Sequence, residues 1–140
     1  MAIYRNVSMN FWNDTKVSDD FSPEDKYFML YCLTNPLTNL CGCYEISVKQ
    51  MARDTGYTEE TIRVLLDRFN KYDIIKYNPT FKELLIKNWH KYNWSNSNKL
   101  DKPLLEEIQK IKTPEFHNYL AEIYNKRDTV SIRYRYGIDR

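Results

Sequence analysis

Glycine is scarce, with three residues in 140, and none sits in a run that could cradle a phosphate. Histidine is scarcer. His90 and His117 stand alone, with no spacing that links either to a Cys or Ser nucleophile. The three cysteines, Cys32, Cys41 and Cys43, are an odd number and a poor disulfide framework, and no second Cys pair or His pair completes a zinc set. They read as small buried side chains in a reducing, cytoplasmic setting. No apolar run reaches the ~18 residues of a membrane span. The opening "MAIYRNVSMNFW" lacks the apolar core of a signal peptide. The pairs Asp19-Asp20 and Glu59-Glu60 read as surface charge and helix caps rather than as an acid/base couple. These absences leave no expectation of an enzyme, a cofactor or a metal.

Charge of one sign is also missing overall, since 21 Lys and Arg against 19 Asp and Glu give +2. Its distribution along the chain is uneven. Residues 1–25 hold two cations against five acids. Residues 71–99 hold six lysines against Asp73 and Glu83, and residues 126–140 hold five cations against two acids. The apolar fraction of 42% supports a packed core, and the length suits one domain with an appendage.

Ser22-Pro23-Glu24-Asp25 has the form of a helix start, with Ser as cap, Pro in the first turn and acids at the positive end. That helix should stop before Asn35-Pro36. "CYEIS" reads as a short strand. Ser47 through Gln50 fits a reciprocal capping box, and the helix after it should end at Thr55-Gly56. Thr58 caps the next helix, whose Ile62, Leu65, Leu66 and Phe69 fall at i, i+3, i+4 and i+7. Ile74–Tyr77 and Leu84–Trp89 read as two strands joined by "NPTFKE".

The expected fold is mainly α with a small β-hairpin: a winged helix-turn-helix over residues 1–94, with 78–83 as the wing tip. A linker and accessory helices follow over 95–126, then an extended basic and aromatic tail over 127–140.

On this reading the second helix of the motif exposes Glu59, Glu60, Arg63, Asp67 and Arg68. A helix that reads the major groove places its first residues at base edges, close to phosphates. Two carboxylates there favour a solvated or protein-contacting face. The lysine-rich hairpin is the better nucleic-acid surface, with Lys71, Lys76, Phe81, Lys82, Lys87 and Lys91 as candidate contacts. Lysines meet phosphates without regard to sequence, and aromatics offer stacking faces. The later helices carry an apolar face that includes Tyr119 and Ile123. The tail "VSIRYRYGI" alternates β-forming residues such as Ile132, Tyr134 and Tyr136. These five are the candidates for self-association.

Several segments resemble the N-terminal domain of phage replisome organisers, the DnaD-like primosomal proteins of Gram-positive bacteria and their phages. They are "NFWNDTKVSDDFSPEDKYFMLYCLTNPLTN", "GCYEIS", "KQMARDTGYTEETIRVLLDRF" and "LLIKNWHKYNW". The resemblance covers residues 3–94, and "DTVSIRYRYGID" resembles the linker that follows. It implies a winged helix used for self-association and for contact with primosome or helicase-loading proteins. In that family DNA binding lies largely in a separate C-terminal domain, which is not recognisable here. The mixed-charge second helix beside a lysine-rich wing leads to the expectation that any DNA contact is weak and indifferent to sequence. The alternative from the residues alone is a sequence-specific winged-helix transcriptional regulator.

Overall fold

The computed structural model describes residues 4–94 and 100–136, with 127–136 described as backbone alone. The chain is mostly helical, with a small three-stranded antiparallel sheet. Two short helical turns, Met9–Asn13 and Lys16–Asp20, precede α1 (Pro23–Thr34), β1 (Cys43–Glu45), α2 (Val48–Thr55) and α3 (Glu59–Lys71). Then come β2 (Ile75–Asn78), β3 (Glu83–Ile86), α4 (Trp89–Asn93), α5 (Asp101–Gln109) and α6 (Pro114–Tyr136).

Local signals set most of the boundaries. The Ser22 hydroxyl accepts from the Asp25 N–H, and the Asp25 carboxylate accepts from the Ser22 N–H, each at 3.1 Å. This reciprocal cap starts α1, and Asn35 ends it ahead of Pro36. Ser47 caps α2 through the Gln50 N–H, but the box is half made, because the Gln50 amide donates to Asp54 one turn on instead of reaching back. Gly56, at φ +87°, closes α2 in the left-handed region. Thr58 then caps α3.

The strand order is β1-β3-β2, so β3 is central. Cys43 pairs with Leu85 and Tyr44 with Leu84 on one side, and Lys76 pairs with Leu85 and Tyr77 with Leu84 on the other. Alternation sends Leu84 and Ile86 into a core with Phe28, Met51, Ile62 and Phe69 under α1–α3. Leu85 and Cys43 face the opposite way, into a second core with Leu104, Ile108, Phe116 and Leu120 of α5 and α6. Both faces of β3 are therefore covered, and all four of its residues are buried.

Two segments differ from the sequence reading. Leu84–Trp89 was expected as one strand. Instead β3 ends at Ile86, Asn88 takes a left-handed φ of 65°, and Trp89 opens α4. Asn tolerates that conformation, so the turn forms without glycine. The Trp89 ring then lies against Gly42, where an added Cβ would collide with the ring, and its indole N–H donates to the Leu40 carbonyl at 2.9 Å.

The tail is the second difference. The backbone of 127–136 continues α6, where an extended segment was expected, because propagating an established helix gains one hydrogen bond per residue. The side chains of Ile132, Tyr134 and Tyr136 lie outside the described residues, as do residues 137–140. Among the described residues no helix is long and apolar enough to cross a membrane.

Candidate functional site

The outward face of α3 is neutralised from within. Arg63 lies 3.4 Å from Glu59 and Lys71 lies 3.3 Å from Asp67, both one turn apart on the helix. Arg68 is not a free outward cation. It turns toward α1 and donates to the Asp25 carboxylate at 2.6 Å. That carboxylate is 1% exposed, and it also takes the Ser22 N–H and the Tyr72 hydroxyl. Arg68 therefore fixes α3 on α1. Sequence spacing could not show this, because the partner lies 43 residues away. The exposed face keeps Glu60 and also carries an apolar residue, Val64.

The hairpin lysines fall into two groups. Lys76 and Lys87 share one carboxylate oxygen: the Lys76 ammonium is 3.2 Å and the Lys87 ammonium 3.4 Å from Oδ1 of Asp73. Asp73 stands at φ 60° in the turn between α3 and β2. Hydrogen bonds from Lys76 and then Lys87 hold its carboxyl below the usual carboxylate range. Lys76 also donates to the Asn70 carbonyl at 3.2 Å, and the Lys87 ammonium sits 4.8 Å from the centre of the Tyr119 ring. Both lysines line a groove of about 440 Å³ between the sheet and α6, with Asn70, Asn78, Phe116 and Tyr119 among its walls.

The remaining candidates lie elsewhere. Phe81 and Lys82 are exposed at the hairpin tip, with Lys82 at φ 56°. Lys91 is exposed on α4, away from this cluster, and Lys71 belongs to α3.

Of the self-association candidates, Tyr119 and Ile123 pack against the second core of their own chain. The Tyr119 hydroxyl also accepts from the Asn88 N–H at 3.2 Å. Among the described residues, the most exposed large apolar side chains include Tyr4, Met9 and Trp12 near the N-terminus and Tyr92 of α4.

A buried carboxylate anchors the start of α6. Glu83 of β3 is buried, and its carboxylate accepts from the N–H groups of Lys112 and Thr113 and from the Thr113 hydroxyl, at 2.6–2.9 Å. The Glu107 carboxylate similarly accepts from the Cys41 N–H at 2.9 Å.

All three thiols are free and buried. Burial pushes Cys41 up to about 12 and raises Cys32 and Cys43 further. His117 donates through Nδ1 to the Ile108 carbonyl at 2.9 Å, which closes the end of α5. Among the described residues no cluster of three or more His, Cys, Asp or Glu could hold a metal ion.

No protein-family model matches the chain, and neither the curated proteins nor the solved structures contain a match.

Proposed function

We propose that the chain is a winged helix-turn-helix domain of a DnaD-like replisome organiser. It acts as a cytoplasmic, oligomerising scaffold in primosome assembly and touches DNA weakly, without sequence preference. One observation carries this reading. Each cation of α3 is already paired, Arg63 with Glu59, Arg68 with Asp25 and Lys71 with Asp67, while Glu60 stays exposed at the helix start. A helix with that surface repels phosphates where a reader would approach them.

In the proposed arrangement α2 and α3 form the helix-turn-helix and the β2–β3 hairpin forms the wing. Exposed Phe81 and Lys82 supply the sequence-independent contact. Exposed Tyr4, Met9 and Trp12 support self-association better than Tyr119 and Ile123, which face their own chain. The functional partners are further copies of the chain and primosome or helicase-loading proteins.

Two measurements test the proposal. Titration of random and candidate operator duplexes across a salt series should give one weak, steeply salt-dependent affinity for all sequences. One duplex bound at least ~10³-fold better than the rest would replace the scaffold by the transcriptional regulator. Light scattering on the full chain at high micromolar concentration should give more than a monomer mass, and a monomer would remove the assembly reading.

A further inference from the structure

We propose that the groove between β2, β3 and α6 binds a phosphodiester of a single-stranded polynucleotide, and that the Asp73 carboxylate occupies the phosphate position until the strand displaces it. This rests on the DNA-contact reading above and assigns it a place distinct from the hairpin tip.

The geometry argues first. Lys76 is on β2 and Lys87 follows β3, yet their ammonium groups converge on a single oxygen, Oδ1 of Asp73. Two ammonium donors that converge on one anionic oxygen can serve a phosphate oxygen as they serve a carboxylate. The lysines are already positioned, Lys76 by the Asn70 carbonyl and Lys87 over the Tyr119 ring. Their side chains are 31% and 23% exposed, so they are recessed rather than free on the surface. An open recess of about 440 Å³ is too small to take in a duplex and suits a flexible single strand better. Asn70 and Tyr119 line the same recess, whereas the Tyr77 ring turns to the first core and the Asn78 amide is held by Thr113 and Thr80.

The internal ligand is weakly held. Asp73 is 66% exposed, and exposed ion pairs contribute little net stability. Glu115 lines the groove, and Asp73, which does not line it, neutralises both lysines from outside, so the resting site has little net attraction for an anion. A strand must exchange one phosphate for one carboxylate, which keeps the affinity low and makes it depend on Asp73.

The test is fluorescence anisotropy of a labelled oligothymidylate with the full chain at low salt. Asp73→Asn should bind about fivefold tighter, the size of one exposed ion pair removed. Asn tolerates the left-handed conformation at this position, so the turn is kept. Adding Lys76→Gln and Lys87→Gln to Asp73→Asn should abolish the gain and lower the log–log salt slope by about 0.7, one single-strand phosphate. Thermal melts of each variant confirm that the fold persists.

Other outcomes overturn the proposal in distinguishable ways. If Lys82→Gln removes binding while the Asp73 and Lys76/Lys87 variants behave as wild type, the groove is wrong and the hairpin-tip contact stands. If no variant binds the oligonucleotide, the DNA-contact reading falls and the groove falls with it. If polyglutamate or inorganic phosphate competes as well as unlabelled oligothymidylate at equal charge, the site takes anions in general and the strand assignment is lost.

Discussion

The two faces of the sheet are covered by different kinds of contact. On one face, α1–α3 close over Leu84 and Ile86 with large rings: Phe69 meets Phe21, Phe28 and Tyr72 at centroid distances of 5.2–5.7 Å. On the other, α5 and α6 close over Leu85 with fewer buried residues, and their placement depends on polar anchors. Glu83 holds the start of α6, Glu107 holds the Cys41 N–H, and Tyr119 takes the Asn88 N–H. An aromatic core resists opening through dispersion and area, whereas a helix pair held by a few carboxylate anchors can leave its sheet more easily. The proposed phosphate groove lies on this second, looser face.

The sharpest way to break the comparison is to empty the first core. Phe69→Ala removes a fully buried ring, and truncations of this kind cost ~3–5 kcal/mol. The expected result is a uniform loss across the chain, with α5 and α6 unfolding together with α1–α3. Denaturant melts followed at several probes should shift together. A shift confined to one probe would mean that Phe69 is not central.

Leu120→Ala addresses the opposite face. Leu120 is 1% exposed, but its cluster is smaller, so the loss should fall near the lower end of the ~2–5 kcal/mol range. The comparison predicts an uneven loss. Amide exchange should accelerate in α5 and α6 while α1–α3 keep their protection. Equal acceleration everywhere would make the two cores one cooperative unit.

Glu83→Ala should have a smaller effect, about 1–3 kcal/mol, by leaving the Lys112 and Thr113 N–H groups and the Thr113 hydroxyl without their acceptor. Glu83→Gln keeps one acceptor oxygen and should recover part of the loss. If the alanine variant melts as the wild type does, water replaces the carboxylate and Glu83 is no anchor.

The first face was the more legible in the sequence. Ser22-Pro23, Thr58 and Gly56 marked helix ends through chemistry confined to a few residues, and the Ile62, Leu65, Leu66 and Phe69 stripe is buried as its spacing required. What failed depended on partners distant in the chain. Arg68 reads as an outward cation until Asp25, on another helix, is brought beside it. Glu83 reads as a surface acid of the hairpin until the turn before α6 settles on it. Lys76 and Lys87 were named separately as candidates, but their convergence on Asp73 needs the β2–β3 register. The run Glu83-Leu84-Leu85-Ile86 did carry one unused signal, since three consecutive apolar residues in a strand imply cover on both faces.

The smallest expected effect needs no substitution, because the cysteines already report on the two faces separately. Cys32 lies in the first core, and Cys41 and Cys43 lie in the second. All three thiols are buried, and burial raises each well above its ordinary value, so almost no thiolate exists near pH 8. In the native protein a disulfide reagent should therefore react with none of them on the timescale that labels the unfolded chain. At denaturant concentrations below the global transition, local openings control the rate. If α5 and α6 leave the sheet as a unit, Cys41 and Cys43 should label before Cys32, and mass analysis of digested protein would resolve the order. Cys32 is on the buried face of α1, so it should label only at the rate of global unfolding. Simultaneous labelling of all three would show that the two faces open together, and the carboxylate anchors would then be as strong a constraint as the aromatic core.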